Sequence, residues 1–125
     1  MKVHQAGLAR RLRYWMRALK LEGWTIKIRF RTVPSGDDTV AELEHCSPVE
    51  RAAAIFVAED YAGRAGHGVS FNLDTLILHE LIHVVLWDEW ERLPTRTKGR
   101  ADVKRLEEFV CFHFAKIIYD LKKGK

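Results

Sequence analysis

The chain has 125 residues, 47% of them hydrophobic and 30% charged, with a formal net charge of +4. That profile excludes a disordered chain and fits one globular domain with enough residues to bury a core. No apolar run is long enough to cross a bilayer, because His79, Glu80 and His83 interrupt the longest one.

The first twenty residues, "MKVHQAGLARRLRYWMRALK", scatter arginines and hold no continuous apolar stretch, so they do not read as a secretory signal. Leu8, Leu12, Trp15 and Leu19 recur at helical spacing, which predicts a core-facing helix over 7–22 with Gly23 as its C-terminal cap. "WTIKIRFRTV" alternates: Trp24, Ile26, Ile28 and Phe30 on one face, Lys27, Arg29 and Arg31 on the other. That is a half-buried strand. "PSGDD" is a turn, "TVAELEHC" a less regular second strand, and "RAAAIFVAED" a third strand after Pro48. "YAGRAGHGVSFN" carries three glycines and reads as an exposed loop. A helix of about eighteen residues then starts near Asn72 or Asp74, either of which can cap it, and ends before Pro94. The basic loop "RLPTRTKGR" leads to a last helix from about Ala101 to Leu121. The order predicts an α+β domain: a small, mostly antiparallel sheet packed with an N-terminal helix, a central helix and a C-terminal helix. The short first connections suit antiparallel hairpins, and strand order stays open.

The central helix carries "LILHELIHVVLW". Residues four apart lie on one face of a helix, so His79 and His83 point the same way and are placed to share one zinc ion. Glu80 stands about 100° round from His79, beside the metal rather than on it, where a general base for a zinc-bound water belongs. The rest of this helix is strongly apolar, and burying two histidines and a glutamate in it is costly unless a partner satisfies them. Zinc accounts for all three. A catalytic zinc needs a third protein ligand and one open position. The last helix offers "RLEEFVCFHFAKII", in which Glu107 and Glu108 both stand within reach. Cys111 and Ala115 lie on the Glu108 side, and such small residues suit a face packed closely on the motif helix. They favour Glu108, with Glu107 the alternative and otherwise a solvated residue near Lys104. His113 competes as a third ligand from a different face. Asp88 and Glu89 read as surface acids, and His4, His45 and His67 have no partner at ligand spacing.

On "WTIKIRF", "AAAIFVA", "LDTLILHELIHVVL" and "EEFVCFHFAKII", residues 24–121 resemble a zincin metallopeptidase of the gluzincin type, most nearly the small metallopeptidases of phage and prophage genomes. The resemblance implies His79 and His83 as zinc ligands, Glu80 as base and one glutamate of "EEFV" as third ligand. It also implies that "AAAIFVA" lines the cleft and pairs with an extended peptide. Larger gluzincins often place an acid one turn after the glutamate ligand to orient a zinc histidine. Phe112 or Cys111 stands there instead, which leaves the orienting group to come from elsewhere. No HExxHxxGxxH extension is present, which excludes a metzincin. For the oxyanion, Tyr119, Tyr61 and His67 are candidates.

The expected function is therefore zinc-dependent hydrolysis of peptide or protein substrates, with Zn²⁺ the cofactor and no membrane partner. Two cysteines, Cys46 and Cys111, form no CxxC pair and fit free thiols in a reducing cytoplasm, in a phage- or prophage-encoded setting. Two other readings carry distinct consequences. One is a metal-stabilised interaction module that cleaves nothing. The other is a nucleic-acid-associated protein using the basic loop at 92–105.

Overall fold

The computed structural model describes residues 5–34, 36–61, 72–91 and 101–123. Helix α1 (Gln5–Ala18) buries Leu8, Leu12, Trp15 and Met16 along one side, the face that its spacing predicts. It stops four residues short of the expected end, and Gly23 is not its cap. Lys20 takes the left-handed conformation (φ 61°). Its N–H donates to the Arg17 carbonyl at 3.2 Å, and the Leu21 N–H donates to the Met16 carbonyl at 2.8 Å. Those are the two bonds of a Schellman cap. Burial of Leu21 in the core accompanies this tight turn, which a non-glycine residue takes at a cost of about 1–2 kcal/mol.

Strands β1 (Thr25–Arg31), β2 (Ala41–Ser47) and β3 (Ala52–Ala58) form a mixed sheet in the order β1-β3-β2. β2 and β3 are an antiparallel hairpin, whereas β1 and β3 run parallel from Thr25↔Ala52 to Arg31↔Ala58. The first two strands therefore do not pair with each other, and β3 inserts between them. β3 is buried on both faces over its second half, Ile55 to Ala58, which is why "AAAIFVA" lacks alternation. Ala53, Ile55 and Val57 enter the main core, while Phe56 and Ala58 form a small cluster with Val33 on the other face. The Arg31 guanidinium covers the Phe56 ring at 4.9 Å, and Arg29 and Arg31 reach Glu44 at 2.9 and 3.5 Å. Gly36 has φ 96° in the turn after β1, a conformation glycine adopts freely.

Helix α2 (Leu73–Glu91) runs through the middle of the molecule, touching α1, β2, β3 and α3 (Ala101–Lys123). Its apolar residues occupy nearly all sides because these neighbours enclose most of it, with Val85 left exposed. Asn72 is its cap: Oδ1 accepts from the Asp74 N–H at 2.8 Å and the Thr75 N–H at 3.4 Å. Asp74 does something else. It is buried, and its carboxylate accepts from Trp15 Nε1 at 2.8 Å and from Arg11 Nη1 at 2.7 Å, fastening α1 to the start of α2. Asn72→Ala is expected to cost about 1–2 kcal/mol, read as a lower thermal midpoint. No change in the midpoint would remove its capping role. The arrangement is α+β, and no helix among the described residues is long and apolar enough to cross a membrane.

Candidate metal centre

The α2 pitch places the His79 and His83 rings side by side, with centroids 5.0 Å apart. Both turn their Nε2 atoms to one group on α3. The Glu108 carboxylate meets His79 Nε2 at 3.2 Å through Oε2 and His83 Nε2 at 2.9 Å through Oε1. Ligating atoms of His79, His83 and Glu108 all lie within 4.8 Å of one another, a two-nitrogen, one-oxygen donor set suited to holding a single divalent ion. Cys111 and Ala115 are the small residues that let α3 approach so closely, at 0% and 2% exposure.

The neighbouring glutamate is not a solvated bystander. Glu107 Oε2 accepts from His83 Nδ1 at 2.5 Å, on the side of the ring opposite Glu108. It occupies the role that the missing acid one turn later would otherwise fill, fixing the ring orientation and keeping Nε2 directed to the donor cluster. The two adjacent glutamates thus divide the two nitrogens of one imidazole. Cys111 also hydrogen-bonds His83 and, with Glu107, forms a second donor group about that ring.

The electrostatics follow from this packing. Burial opposes a charged His83, but its hydrogen bonds to Cys111 and Glu108 outweigh that and raise its pKa far above the usual imidazole value. Glu108, bonded to His79 and His83, is held well below the ordinary carboxylate range. Burial drives the Glu80 pKa upward, against the lowering influence of His79 and His83, while Glu108 and Glu42 add to the rise. Burial likewise raises the Cys111 thiol.

Two cavities meet at this point. One, of about 400 Å³, is bordered by Val40, Ala41, Leu76, Phe112 and Ala115 and closes beside Asn72 and Tyr119. The other, of about 310 Å³, is bordered by Glu42, Leu43, Trp87 and Glu108. Ala41, His79 and Glu80 line both. The strand beside the cleft is therefore β2, not "AAAIFVA". β3 is hydrogen-bonded along both edges, to β1 and to β2, and has no edge left for a peptide.

His113 is not a third ligand here. It is exposed on the far side of α3, stacked on Phe109 at 5.4 Å. Tyr119 lies eleven residues beyond Glu108, about 16 Å along the helix, too far to serve an oxyanion at the cluster. Its hydroxyl instead accepts from Asn72 Nδ2 at 3.1 Å and joins the two helices at the end of the larger cavity. Tyr61 is packed against the core, and His45 is exposed on β2. His4, His67, the side chains of Asp88 and Glu89, and the basic loop at 92–100 lie outside the described residues. Neither Cys46 nor Cys111 is in a disulfide.

Sequence reasoning missed the Glu107–His83 bond and the Asp74 anchor. A carboxylate at the start of an apolar helix, with an arginine and a tryptophan four apart on another, was a legible signal for the second. Comparison with protein-family models, curated proteins and solved structures finds no match.

Proposed function

We propose that the chain is a zinc-dependent peptidase in which His79, His83 and Glu108 hold the ion and Glu80 is the general base. The observation that carries this reading is the convergence of both Nε2 atoms on the Glu108 carboxylate, beside two cavities that Glu80 also lines. The donors fit a catalytic zinc: three protein ligands, mixed nitrogen and oxygen, with cavity space alongside for a fourth. When bound there, zinc supplies a Lewis acid that polarises a carbonyl and makes a water acidic enough to be deprotonated near neutral pH.

The remaining chemistry belongs to the chain's own residues. Glu80 accepts the proton of the attacking water and returns it to the departing amine, a task eased by the upward shift that burial imposes on its carboxyl. Glu107 keeps the His83 ring in one orientation throughout. Along Ala41–Leu43 the outer edge of β2 is unpaired among the described strands, so an extended substrate can add to it by main-chain hydrogen bonds. The larger cavity, walled by Val40, Leu76 and Phe112, then accommodates an apolar substrate side chain.

Zinc titration tests the donor assignment. About one zinc per chain is expected for the wild type. Glu107→Ala should weaken binding by about 10- to 100-fold, because it removes the acceptor that orients His83 but no donor to the ion. Glu108→Ala should weaken it further. Equal losses from the two variants, or no zinc bound by the wild type, would overturn the assignment.

A further inference from the structure

Helix α3 is apolar on two opposite sides. One side carries Cys111 and Ala115 onto α2. The other carries Leu106, Phe109, Val110, His113, Phe114, Ile117 and Leu121, which helical pitch gathers into an arc of about 140°. Five of these, Leu106, Phe109, Phe114, Ile117 and Leu121, are between 38% and 63% exposed. They leave roughly 500 Å² of apolar surface open, toward the upper end of what a monomer normally shows. Pairing two such faces would remove about 1,000 Å², the least that a specific interface buries, before the flanking polar side chains add to it.

We infer that this face is the interface of a two-fold homodimer in which two copies of α3 pack antiparallel. The stripe is complementary to itself in that direction. A two-fold axis between His113 and Phe114 sets Leu106 against the partner's Leu121 and Val110 against the partner's Ile117, and the same pairs recur by symmetry. The charges agree. Asp120 stands just inside one edge of the arc, next to Phe109, and Arg105 just outside that same edge; the axis brings Arg105 to within two residues, about 3 Å along the helix, of the partner's Asp120. Two equivalent ion pairs would then border the apolar centre, as flanking charges do in paired helices. A membrane surface is the competing occupant for a basic helix with exposed phenylalanines. It accounts for neither the end-to-end matching of the apolar residues nor the acid on the flank.

Sedimentation equilibrium on the full chain from low to high micromolar concentration is the test. The wild type is expected to reach twice the 14.5 kDa chain mass. Phe109→Glu and Leu106→Glu, both at exposed positions, should each raise the dissociation constant at least about 30-fold with the circular dichroism spectrum unchanged. Val49→Glu, at a hairpin-tip residue that is 96% exposed, should leave association as it is. Arg105→Asp and Asp120→Arg should each weaken the dimer, and the two together should restore it. A wild type that stays monomeric at every concentration overturns the inference, as does a dimer indifferent to Phe109→Glu. Failure of the charge swap to restore association overturns the antiparallel arrangement. A monomer that co-sediments with phosphatidylglycerol vesicles, and loses this with Phe109→Glu, would assign the face to a membrane surface instead.

Discussion

Glu80→Gln is expected to lower peptide hydrolysis by about 10²- to 10⁴-fold while leaving zinc affinity close to that of the wild type. The side chain keeps its shape and its place between the two cavities but can no longer take a proton from water. Glu80 is not among the three converging donors, so its change should leave them intact. Folding should tolerate the substitution. In the metal-free chain the folded-state pKa of Glu80 is raised, chiefly by burial. The sign follows: its contribution to stability is fully present below the unfolded-state pKa and is lost as pH rises through the folded-state pKa. A neutral glutamine escapes that loss, so the variant should be at least as stable at neutral pH. Cleavage of a mixed peptide library by zinc-loaded protein, together with a zinc titration, gives both readings. A variant as active as the wild type sinks the base assignment. A wild type that binds one zinc tightly and cleaves nothing would instead favour a metal-stabilised interaction module.

Asp74→Ala should lower stability by about 2–4 kcal/mol. Asp74 is 7% exposed, and its carboxylate takes hydrogen bonds from two residues of α1. Its loss leaves the Trp15 indole N–H, on a fully buried side chain, without its acceptor. The Arg11 contribution is smaller, because that side chain is 44% exposed and solvent screens its charge. Asp74→Asn keeps an acceptor for Trp15 and removes only the charge, so it should cost about half as much. Thermal melts should fall by roughly 3–5 °C per kcal/mol for a chain of this length. The effect reaches the candidate metal centre, since Asp74 sits a little over one turn before His79 and α1 holds that end of α2 in place. If Asp74→Ala melted within a degree of the wild type, the anchor would have no energetic weight.

Much of this was open to local reading. Alternation in "TIKIRFR" foretells β1, and the leucine spacing foretells α1, since both periods are properties of a few consecutive residues. The same holds for His79 and His83, whose shared direction follows from helical pitch alone. Strand order was not open to it. Main-chain hydrogen bonds are alike for every residue, so nothing in "AAAIFVA" says that it lies between the other two strands rather than beside the cleft. The end of α1 also escaped, because Lys20 adopts a left-handed conformation in company with burial of Leu21, a contact remote in sequence.

The division is sharpest at "EEFV". From the sequence itself came a helix pair with two histidines on one and two carboxylates on the other, because spacing and helix-forming pattern are local. Which carboxylate meets which nitrogen was settled only when α3 packed on α2. Adjacent residues differ by 100° about a helix axis, so the rotation of α3 decides their roles, and that rotation is set by Cys111 and Ala115 seating against α2. Glu108 then reaches both Nε2 atoms, and Glu107 takes the Nδ1 of His83.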